Sequence, residues 1–387
     1  MKRQRSFRSF FLGGFECSTH CRPDGTRLDL IASTCHDAFC ELDYRRLQSV
    51  GIEACRDGLR WHLIEKPGQY DFSSALPLIS AARNTGMQVI WDLFHYGWPD
   101  GLDIFSPRFI DRFSRFARAA ARLIASETSD APWFVIVNEP SFLSWAGGQQ
   151  GLFPPFSTGR GSELKRQLIR ATIAGMEAVR EECPNARFVQ VDPLVNIVTE
   201  PDATSEERAE AEGYCRAQFQ GWDMLAGFEC PELGGDPSYI DVIGCNYYVH
   251  NQWVYGGEFI ERTDPRYRPL SEMLAEVYAR YGRPVFLAET GIENSRRPEW
   301  LSYVSGELIE ALRGGTEIEG ACLYPIVNHP GWVDDRHCEN GLWDYCNGKG
   351  HREIYFPLAV ELRAQQARVE AVRNAPERDR EAASVFA

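Results

Sequence analysis

The chain has 387 residues, of which 44% are hydrophobic, 12% aromatic and 25% charged, a composition typical of a folded globular protein. This balance excludes a wholly disordered or fibrous chain, because enough apolar side chains are present to form a large core. The 55 acidic side chains outnumber the 41 basic ones and give a formal net charge of −14. Nucleic acids and anionic membranes are therefore disfavoured as partners, since polyanions attract basic surfaces.

The N-terminal segment and the cysteines bear on where the protein resides. Residues 1–8 are basic, but the apolar stretch that follows at 9–15 is too short for a signal peptide, and no stretch approaches the ~20 apolar residues that cross a bilayer. The twelve cysteines form no Cys-x-x-Cys pair, and several lie within apolar runs. We therefore expect a cytoplasmic protein with buried, reduced thiols rather than a disulfide framework.

Eight short apolar segments predict β-strands, and segments with helical periodicity lie between them. The predicted strands are residues 10–16, 53–59, 88–94, 133–138, 187–192, 240–246, 284–289 and 318–325. The predicted helices include residues 39–49, 74–85, 107–127, 161–182, 205–226, 269–281 and 300–313. The strands are continuous apolar runs, which is typical of parallel strands covered on both faces. This alternation predicts an α/β protein with a single (β/α)8 barrel, the TIM barrel.

An open, doubly wound sheet is the alternative to a barrel. The first predicted strand is not followed by the Gly-x-Gly-x-x-Gly pattern of dinucleotide-binding folds, however, and the chain contains no Gly-x-x-x-x-Gly-Lys phosphate loop. No proline- or serine-rich linker divides the chain, so we predict one catalytic barrel over residues 1–362. Residues 363–387 are rich in Arg, Glu and Ala and are predicted to form a polar C-terminal tail.

Two glutamates stand at the ends of predicted strands, and in a barrel the carboxyl ends of the strands meet at the rim that carries the active site. Glu139 follows the fourth strand, and Glu289 ends the seventh. Either one alone is typical of a rim salt bridge or a helix cap. As a pair they can face each other across a pocket, as cleavage of a glycosidic bond requires, with one carboxyl protonated and the other ionised. We assign Glu139 as the general acid/base and Glu289 as the nucleophile.

The sequences around these glutamates resemble those of a known group of enzymes. The acid/base candidate lies in the motif Asn138-Glu139-Pro140, and the nucleophile candidate begins the motif Glu289-Thr290-Gly291. These motifs look like the signatures of clan A glycoside hydrolases. Further segments between about residues 10 and 345 are similar to family 1, the β-glucosidase and phospho-β-glucosidase family.

The resemblance implies two further catalytic residues. Arg56 lies five residues before Trp61 and matches the strand-two arginine of family 1. An arginine inside an apolar strand needs a charged partner, which we expect to be the nucleophile; Arg60 is a weaker rival for this role. Tyr248 matches the second tyrosine of the strand-six motif, which contacts the nucleophile in that family.

The same resemblance implies residues that bind the sugar. His95 lies four residues before Pro99 and matches the strand-three histidine that binds the glycone. Asn246 begins the strand-six motif, and Asn138 stands beside the acid/base, where its amide can orient a sugar hydroxyl. A core histidine is the alternative interpretation of His95.

Departures from the family 1 pattern concern the substrate. Members of the family place a glutamate one residue before a tryptophan in the loop after strand eight, and here Gly331 precedes Trp332. The strand-one glutamine of the family has no clear counterpart, Glu16 and His20 being the nearest polar residues. Ordinary glucosidase specificity is therefore not expected. Further substrate-binding candidates in the strand-eight loop are Asn328, His329 and Trp332.

The sequence thus predicts a retaining glycoside hydrolase that cleaves a β-linked small glycoside or oligosaccharide by double displacement, without a cofactor or metal ion. Its two carboxyl groups are expected ~5–5.5 Å apart. Two alternatives stay open: a transglycosidase that passes the same intermediate to another acceptor, and a sugar-binding barrel that has lost turnover. The expected partner is a small-molecule glycoside, whereas the sugar, the aglycone and the oligomeric state are not predicted.

Overall fold

The computed structural model describes residues 5–128 and 130–375, in which eight parallel strands form a closed barrel. In chain order they are β1 (Phe11–Gly14), β2 (Ala54–Gly58), β3 (Gln88–Asp92), β4 (Trp133–Val135), β5 (Arg187–Pro193), β6 (Val242–Asn246), β7 (Val285–Thr290) and β8 (Ile318–Leu323). Each strand pairs with its neighbours in chain order, and β8 closes the ring against β1. The predicted (β/α)8 barrel is confirmed, and every predicted strand overlaps an observed one.

Nine α-helices of six or more residues connect or follow these strands within the described residues. They are α1 (His36–Ser49), α2 (Leu76–Thr85), α3 (Pro107–Glu127), α4 (Gly161–Glu182), α5 (Ser205–Ala217), α6 (Gln220–Leu225), α7 (Leu270–Tyr281), α8 (Arg297–Arg313) and α9 (Phe356–Asn374). The helix predicted over 205–226 is two helices, because the Gln218 side chain bonds the backbone of Cys215 and Val195 where they separate. None of these helices is long and apolar enough to span a membrane.

Local sequence signals set several helix ends. Thr204 and Glu207 form a reciprocal capping box at the start of α5, in which each side chain accepts a hydrogen bond from the other residue's backbone. Helices α2 and α7 each end at a glycine in the left-handed region, Gly86 at φ 71° and Gly282 at φ 58°. Glycine adopts this conformation without the steric cost that a side chain adds.

Shorter elements lie in the connections. Four two-stranded ribbons pair Glu65–Lys66 with Gln69–Tyr70, Asn196–Val198 with Gln252–Val254, His329–Pro330 with His337–Cys338, and Trp343–Cys346 with Arg352–Ile354. Short helical segments occupy Leu30–Ser33, Trp61–Ile64, Phe72–Ser74, Pro140–Leu143, Ser144–Gln149, Pro231–Leu233, Pro237–Tyr239 and Asn294–Arg296.

The last helix, α9, crosses the domain boundary predicted at residue 362. It packs against α8, and on its later half the Val369 side chain is only 1% exposed. Gln366 donates a hydrogen bond to the Val50 carbonyl at the end of α1, at 2.8 Å. Residues 363–374 are therefore packed on the barrel, whereas residues 376–387 of the predicted tail lie outside the described residues.

Apolar side chains fill one end of the barrel and leave charged ones at the other. Phe7 packs near Trp133 and Phe286, with ring centroids 5.1 and 4.8 Å apart. Arg56 follows the buried Ala54 of β2 by two positions, and Asp92 follows Ile90 of β3 in the same way. Since alternate residues of a strand face the same side, both charged side chains point into the barrel. All twelve cysteines are unpaired, and seven are buried.

Candidate active site

A cavity of about 1180 Å³ opens at the carboxyl ends of the barrel strands. Residues that end or follow the strands line it, namely Glu16, His95, Tyr96, Glu139, Tyr248, Glu289 and Tyr324. Loops contribute aromatic side chains, including those of Phe142, Trp145, Trp253 and Trp332. The volume exceeds the ~300–1,000 Å³ of common small-molecule pockets, so the cavity has room for a sugar ring together with a second group.

The carboxylate of Glu289 on β7 is held at both oxygens. Nη1 of Arg56 donates to Oε1 at 3.0 Å, and the Tyr248 hydroxyl donates to Oε2 at 2.9 Å. Burial raises the pKa of Glu289, whereas the positive charges of Arg56 and His95 and the Tyr248 hydrogen bond oppose this rise. These contacts fix the orientation of the carboxylate and favour its ionised form.

Arg56 connects four strands of the barrel. Besides Glu289, its Nη1 donates to the Ala288 carbonyl at 2.8 Å, and its Nη2 donates to Asp92 at 2.7 Å and to Asn138 Oδ1 at 3.0 Å. The side chain is fully buried, and two carboxylates compensate its charge. The arginine thereby joins β2 to β3, to the end of β4 and to β7.

Glu139 lies at the opposite side of the same cavity, directly after β4. Its backbone adopts the left-handed region at φ 44°, a conformation that costs energy for a residue with a side chain. Asn246 donates to its Oε1 at 2.8 Å, and the Tyr96 hydroxyl donates to its Oε2. Burial and the negative charge of Glu289 raise the pKa of Glu139 to about 8. At neutral pH this carboxyl group therefore carries a proton that it can give away.

A buried acid fixes the backbone next to Glu139. Asp192 on β5 is fully buried and accepts hydrogen bonds from the backbone N–H of Ser141 at 3.0 Å and from its hydroxyl at 2.7 Å. Burial raises the pKa of Asp192 to about 7, which the Ser141 hydrogen bonds and the charge of Lys165 oppose. Ser141 is two residues beyond Glu139, so this pair helps to hold the strained turn in place.

The fold is similar to those of solved enzyme structures. The family 1 β-glucosidase from Thermotoga maritima aligns with a TM-score of 0.74 at 14% identity, covering 95% of this chain and 99% of that chain. A hyperthermophilic β-glucosidase mutant gives 0.72 at 16% identity, with 93% and 100% covered. The AHE enzyme from Alicyclobacillus herbarius gives 0.76 at 15% identity, with 95% and 100% covered. The chain has the fold of the family 1 β-glucosidases. No protein-family model and no curated protein matches the sequence.

Within this family 1 fold, the four predicted catalytic residues lie together. Glu289 contacts Arg56 and Tyr248, and the charge of Glu289 acts on Glu139 across the cavity. Arg60 lies apart from them, because its guanidinium pairs with Asp29 and Asp37, at 3.0 and 2.9 Å. Arg56 and not Arg60 is therefore the arginine in contact with Glu289.

The two predicted amides lie behind the carboxyl groups rather than on the cavity wall. Asn138 accepts from Arg56 and donates to the Tyr96 hydroxyl at 3.0 Å, and its side chain is fully buried. Asn246 donates to Glu139, and its Oδ1 is buried without a partner among the described residues. Both side chains support groups that line the cavity, and sugar binding by either stays a prediction.

His95 lines the cavity beside Arg56 and Tyr324. Its Nδ1 lies 3.0 Å from Asp92 Oδ2, and its ring is parallel to that of Tyr324 with centroids 6.0 Å apart. Its Nε2 is 3.8 Å from Glu16 Oε1. Burial alone would lower the pKa of His95, but its contacts with Cys17, Asp92 and Glu16 raise it above the usual value.

Glu16 adds a third carboxylate to the cavity wall. Its Oε1 accepts hydrogen bonds from the backbone N–H and the hydroxyl of Ser18, at 2.9 and 2.5 Å. Burial raises its pKa, but the charges of His95 and His329 and the Ser18 hydrogen bonds outweigh burial and bring the pKa below its usual value. Glu16 is therefore ionised at neutral pH. The other candidate at this strand end, His20, is buried against Phe153 with ring centroids 4.3 Å apart.

The loop after β8 brings Trp332 over the cavity. Its ring lies near those of His20, Tyr96 and Phe153, with centroids 5.1, 5.8 and 5.6 Å away. Arg22 donates to the carbonyl oxygens of Trp332 and Gly331, at 2.8 and 3.1 Å, and so ties this loop to the loop after β1. The half-buried indole is placed to contact a ligand.

The other two candidates of this loop differ in position. His329 lines the cavity, and its Nε2 lies 3.1 Å from the Asn340 amide nitrogen. Asn328 instead bonds protein groups: it donates to Asp344 at 2.9 Å and accepts from the Gly341 backbone at 2.7 Å. Asn328 therefore shapes the loop rather than the cavity wall.

Three residues of the site carry no motif in the sequence. Tyr96, Asp92 and Asp192 contact Glu139, Arg56 and the Ser141 turn respectively. The one available signal is an acidic residue at the end of an apolar strand, which applies to Asp92 and Asp192. Nothing in the sequence distinguishes Tyr96 from a core tyrosine.

One group of side chains in the described part of the chain has the spacing of a metal site. Atoms of Cys17, Asp92 and His95 lie within 4.8 Å of one another, and all three residues are buried. Asp92 Oδ2 already accepts a hydrogen bond from Arg56 and lies 3.0 Å from His95 Nδ1. These contacts explain the grouping by hydrogen bonding, and the sequence-based expectation of a metal-free reaction stays a prediction.

Proposed function

We propose that the protein is a retaining glycosidase that hydrolyses a β-linked small glycoside or oligosaccharide. The observation that carries the proposal is the unequal environment of two glutamates on one cavity. Glu289 receives hydrogen bonds from Arg56 and Tyr248 that favour its ionised form, and the pKa of Glu139 is raised to about 8. Double displacement needs one ionised and one protonated carboxyl group in these positions.

In the first step, a Glu289 carboxylate oxygen attacks the anomeric carbon while the bond from that carbon to the leaving oxygen breaks. Glu139 gives its proton to the leaving oxygen, so the aglycone departs as a neutral alcohol. The sugar is then an ester of Glu289. In the second step, Glu139 takes a proton from water, the water oxygen attacks the anomeric carbon, and the Glu289 carboxylate is released.

The coupling between the two carboxyl groups suits this change of roles. The negative charge of Glu289 is one of the two main causes of the raised pKa of Glu139. Esterification removes that charge, so the pKa of Glu139 falls when its task changes from acid to base. Asn246 and Tyr96 then donate to the carboxylate that results.

The size and lining of the cavity support a substrate larger than one sugar. Polar side chains of Glu16, His95 and Tyr248 line the cavity together with the aromatic side chains of Phe142 and Trp145. Sugar hydroxyls suit the polar groups, and an apolar or sugar aglycone suits the aromatic side chains.

The test is a panel of aryl β-glycosides offered to the wild type and to Glu289→Gln, with intact-mass analysis of the wild type after exposure to fluorinated glycosides. We expect turnover by the wild type, its loss in the variant, and a covalent adduct that peptide mapping assigns to Glu289. The matched control is Glu293→Gln, which changes a rim glutamate paired with Arg336 and should keep activity.

The stereochemistry of the product provides a second readout. Initial release of the β-anomer, monitored by NMR, supports double displacement, whereas initial release of the α-anomer contradicts it. Adding alcohol or sugar acceptors distinguishes hydrolysis from transglycosylation, because a transglycosidase gives the acceptor product in place of the free sugar. Sugar binding without turnover or adduct across the panel overturns the proposal.

A further inference from the structure

The wall of the cavity contains a carboxylate that the two-glutamate mechanism does not use. Glu16 follows β1 and lines the same cavity as Glu139 and Glu289. Its negative charge acts on Glu289 and on the hydroxyl groups of Tyr96 and Tyr248. Glu16 therefore lies close enough to the reacting centre to influence a sugar bound there.

The two oxygens of Glu16 have different surroundings. Oε1 accepts both hydrogen bonds of Ser18 and is the oxygen nearest to His95, at 3.8 Å. Oε2 accepts no hydrogen bond from the described residues, although the residue is only 8% exposed. A carboxylate oxygen on the cavity wall that no protein group occupies is available to a ligand, so a ligand that supplies a positive donor gains from this position.

The positively charged side chains closest to Glu289 already form ion pairs with carboxylates. Arg56 is bonded to both Asp92 and Glu289, and His95 is bonded to Asp92. With Glu139 protonated, three carboxylates, Glu16, Asp92 and Glu289, lie beside these two cations, and the imidazole of His329 also acts on Glu16. The other arginines that line the cavity are also paired, Arg336 with Glu293 and Arg166 with Glu232. The carboxylates around Glu16 thus outnumber Arg56 and His95, whereas Lys165, which also lines the cavity, hydrogen-bonds the Ala217 carbonyl and the Gln220 side chain.

We propose that Glu16 makes this cavity select a glycone that carries a positively charged amino group, a β-linked amino sugar, and reject glycones that carry phosphate or carboxylate. This inference deepens the proposed glycosidase function and rests on it. An ammonium group donates to Oε2 and neutralises the third carboxylate, whereas a phosphate placed there is repelled by Glu16.

The same carboxylate also suits the transition state of an amino sugar. Positive charge develops on the sugar ring as the glycosidic bond breaks, and an ammonium group on the ring repels it. A fixed negative charge beside the ammonium group offsets this repulsion, with little reorganisation because Ser18 already orients the carboxylate. An enzyme that cleaves neutral glycosides does not need a negative charge to offset this repulsion.

The experiment compares fluorogenic aryl β-glucoside with the series in which each hydroxyl in turn is an ammonium group, and with the phosphorylated and uronic acid analogues. The readout is the ratio of kcat/KM for each charged substrate to that for the neutral parent, below the pKa of the sugar amines. The variants are Glu16→Gln, which keeps an acceptor for Ser18, and Glu293→Gln, a carboxylate of the same cavity that Arg336 already neutralises. Thermal melting checks that both variants fold.

We expect at least one amino glycoside to exceed the neutral parent in kcat/KM by roughly tenfold, and Glu16→Gln to lower that ratio by roughly tenfold. The ratio should change less than about twofold in Glu293→Gln. A wild type that prefers the neutral or phosphorylated substrate overturns the proposal, as does a ratio that Glu16→Gln leaves unchanged.

Calorimetric titration with the non-hydrolysable thioglycosides of the same series separates this inference from the proposed function. Preferential binding of an amino thioglycoside that Glu16→Gln abolishes supports the selection by charge even where no glycoside is hydrolysed. Hydrolysis of neutral glycosides together with weaker binding of every amino thioglycoside leaves the glycosidase function standing and overturns the role of Glu16.

Discussion

Tyr96 donates a hydrogen bond to Glu139 at Oε2, the carboxyl oxygen that Asn246 does not contact. The tyrosine also accepts a hydrogen bond from Asn138, whose other amide atom accepts from Arg56. A chain of hydrogen bonds thus runs from the proposed acid/base to the arginine that holds the proposed nucleophile. The two carboxyl groups are connected through the protein as well as across the cavity.

Replacing Tyr96 with phenylalanine should move the basic limb of the pH–rate profile to higher pH. The hydroxyl stabilises the carboxylate form of Glu139, so its removal raises a pKa that already lies at about 8. A hydrogen bond to a charged group contributes about 1.5–3 kcal/mol, which corresponds to roughly one to two pH units. The profile of kcat/KM measures this pKa in the free enzyme. Tyr345→Phe, outside the cavity, is the control, and an unshifted limb would contradict the prediction.

Replacing Tyr248 with phenylalanine should move the acidic limb of the pH–rate profile. The Tyr248 hydroxyl donates to Glu289 at 2.9 Å and favours its ionised form, so its loss raises the pKa of Glu289. The nucleophile must be ionised, and the acidic limb of kcat/KM therefore moves to higher pH, with a lower maximum rate. Tyr96→Phe and Tyr248→Phe serve as controls for each other. An acidic limb that moves in Tyr96→Phe and a basic limb that moves in Tyr248→Phe would show that the roles of the two carboxyl groups are reversed.

Asp192 should make the protein less stable as the pH rises. Its pKa is about 7 in the folded protein against 3.8 as the ordinary value, because burial penalises the charge. Between these values the folded protein keeps a proton that the unfolded chain has released, so the free energy of unfolding falls with increasing pH. Asp192→Asn removes this dependence and keeps an acceptor for the Ser141 N–H.

Relative to the wild type, Asp192→Asn should therefore gain stability from pH 4 to pH 7, by on the order of 3 kcal/mol. Urea unfolding across this range measures the difference. Asp241→Asn, which changes a partly exposed acid paired with Arg187, should show no comparable trend. A constant difference between Asp192→Asn and the wild type would mean that Asp192 is ionised in both states.

Trp332→Ala should weaken substrate binding more than it slows the chemistry. The indole covers the cavity next to Phe153 but contacts neither Glu139 nor Glu289 through a hydrogen bond. We expect KM to rise by about tenfold with a smaller change in kcat, because the indole contributes equally to binding of the substrate and of the transition state. Val333→Ala, at an 80% exposed neighbour, is the matched control. An equal fall in kcat and kcat/KM would instead indicate a contact made only in the transition state.

Val369→Ala tests whether the last helix belongs to the folded barrel. The side chain is 1% exposed on α9, so its truncation should lower the free energy of unfolding by about 1–3 kcal/mol. Val360 is on the same helix but 53% exposed, and Val360→Ala should change stability by less than about 0.5 kcal/mol. If Val369→Ala lowered the free energy of unfolding as little as Val360→Ala, α9 would not unfold together with the barrel.

The barrel could be predicted from the sequence because each strand is a continuous apolar run bounded by turn residues. The break at Gln218 could not be predicted, because it depends on a hydrogen bond to Val195, a residue distant in sequence. The packing of α9 could not be predicted from its composition. Charged residues lie on its exposed face, and only a few side chains, such as that of Val369, are buried against the barrel.

The site could be predicted in part for a related reason. Glu139 follows β4 and Glu289 lies at the end of β7, so the closure of the barrel alone brings them to one rim. The sequence places Asn138 beside Glu139 but does not reveal that its side chain lies behind the cavity wall, where Arg56 and Tyr96 take both ends of the amide. Such partnerships depend on distances of a few ångströms, which no spacing in the sequence encodes.

The four-way hydrogen bonding of Arg56 limits how a ligand enters and leaves. A guanidinium that joins β2, β3, β4 and β7 makes that half of the rim a rigid wall, because any widening there exposes a buried charge. The loops after β1 and β8 are instead joined at Arg22, which lies at a more accessible position. We therefore expect the cavity entrance to widen where Arg22 joins these two loops, so that sugars enter and leave past Trp332 rather than past Arg56.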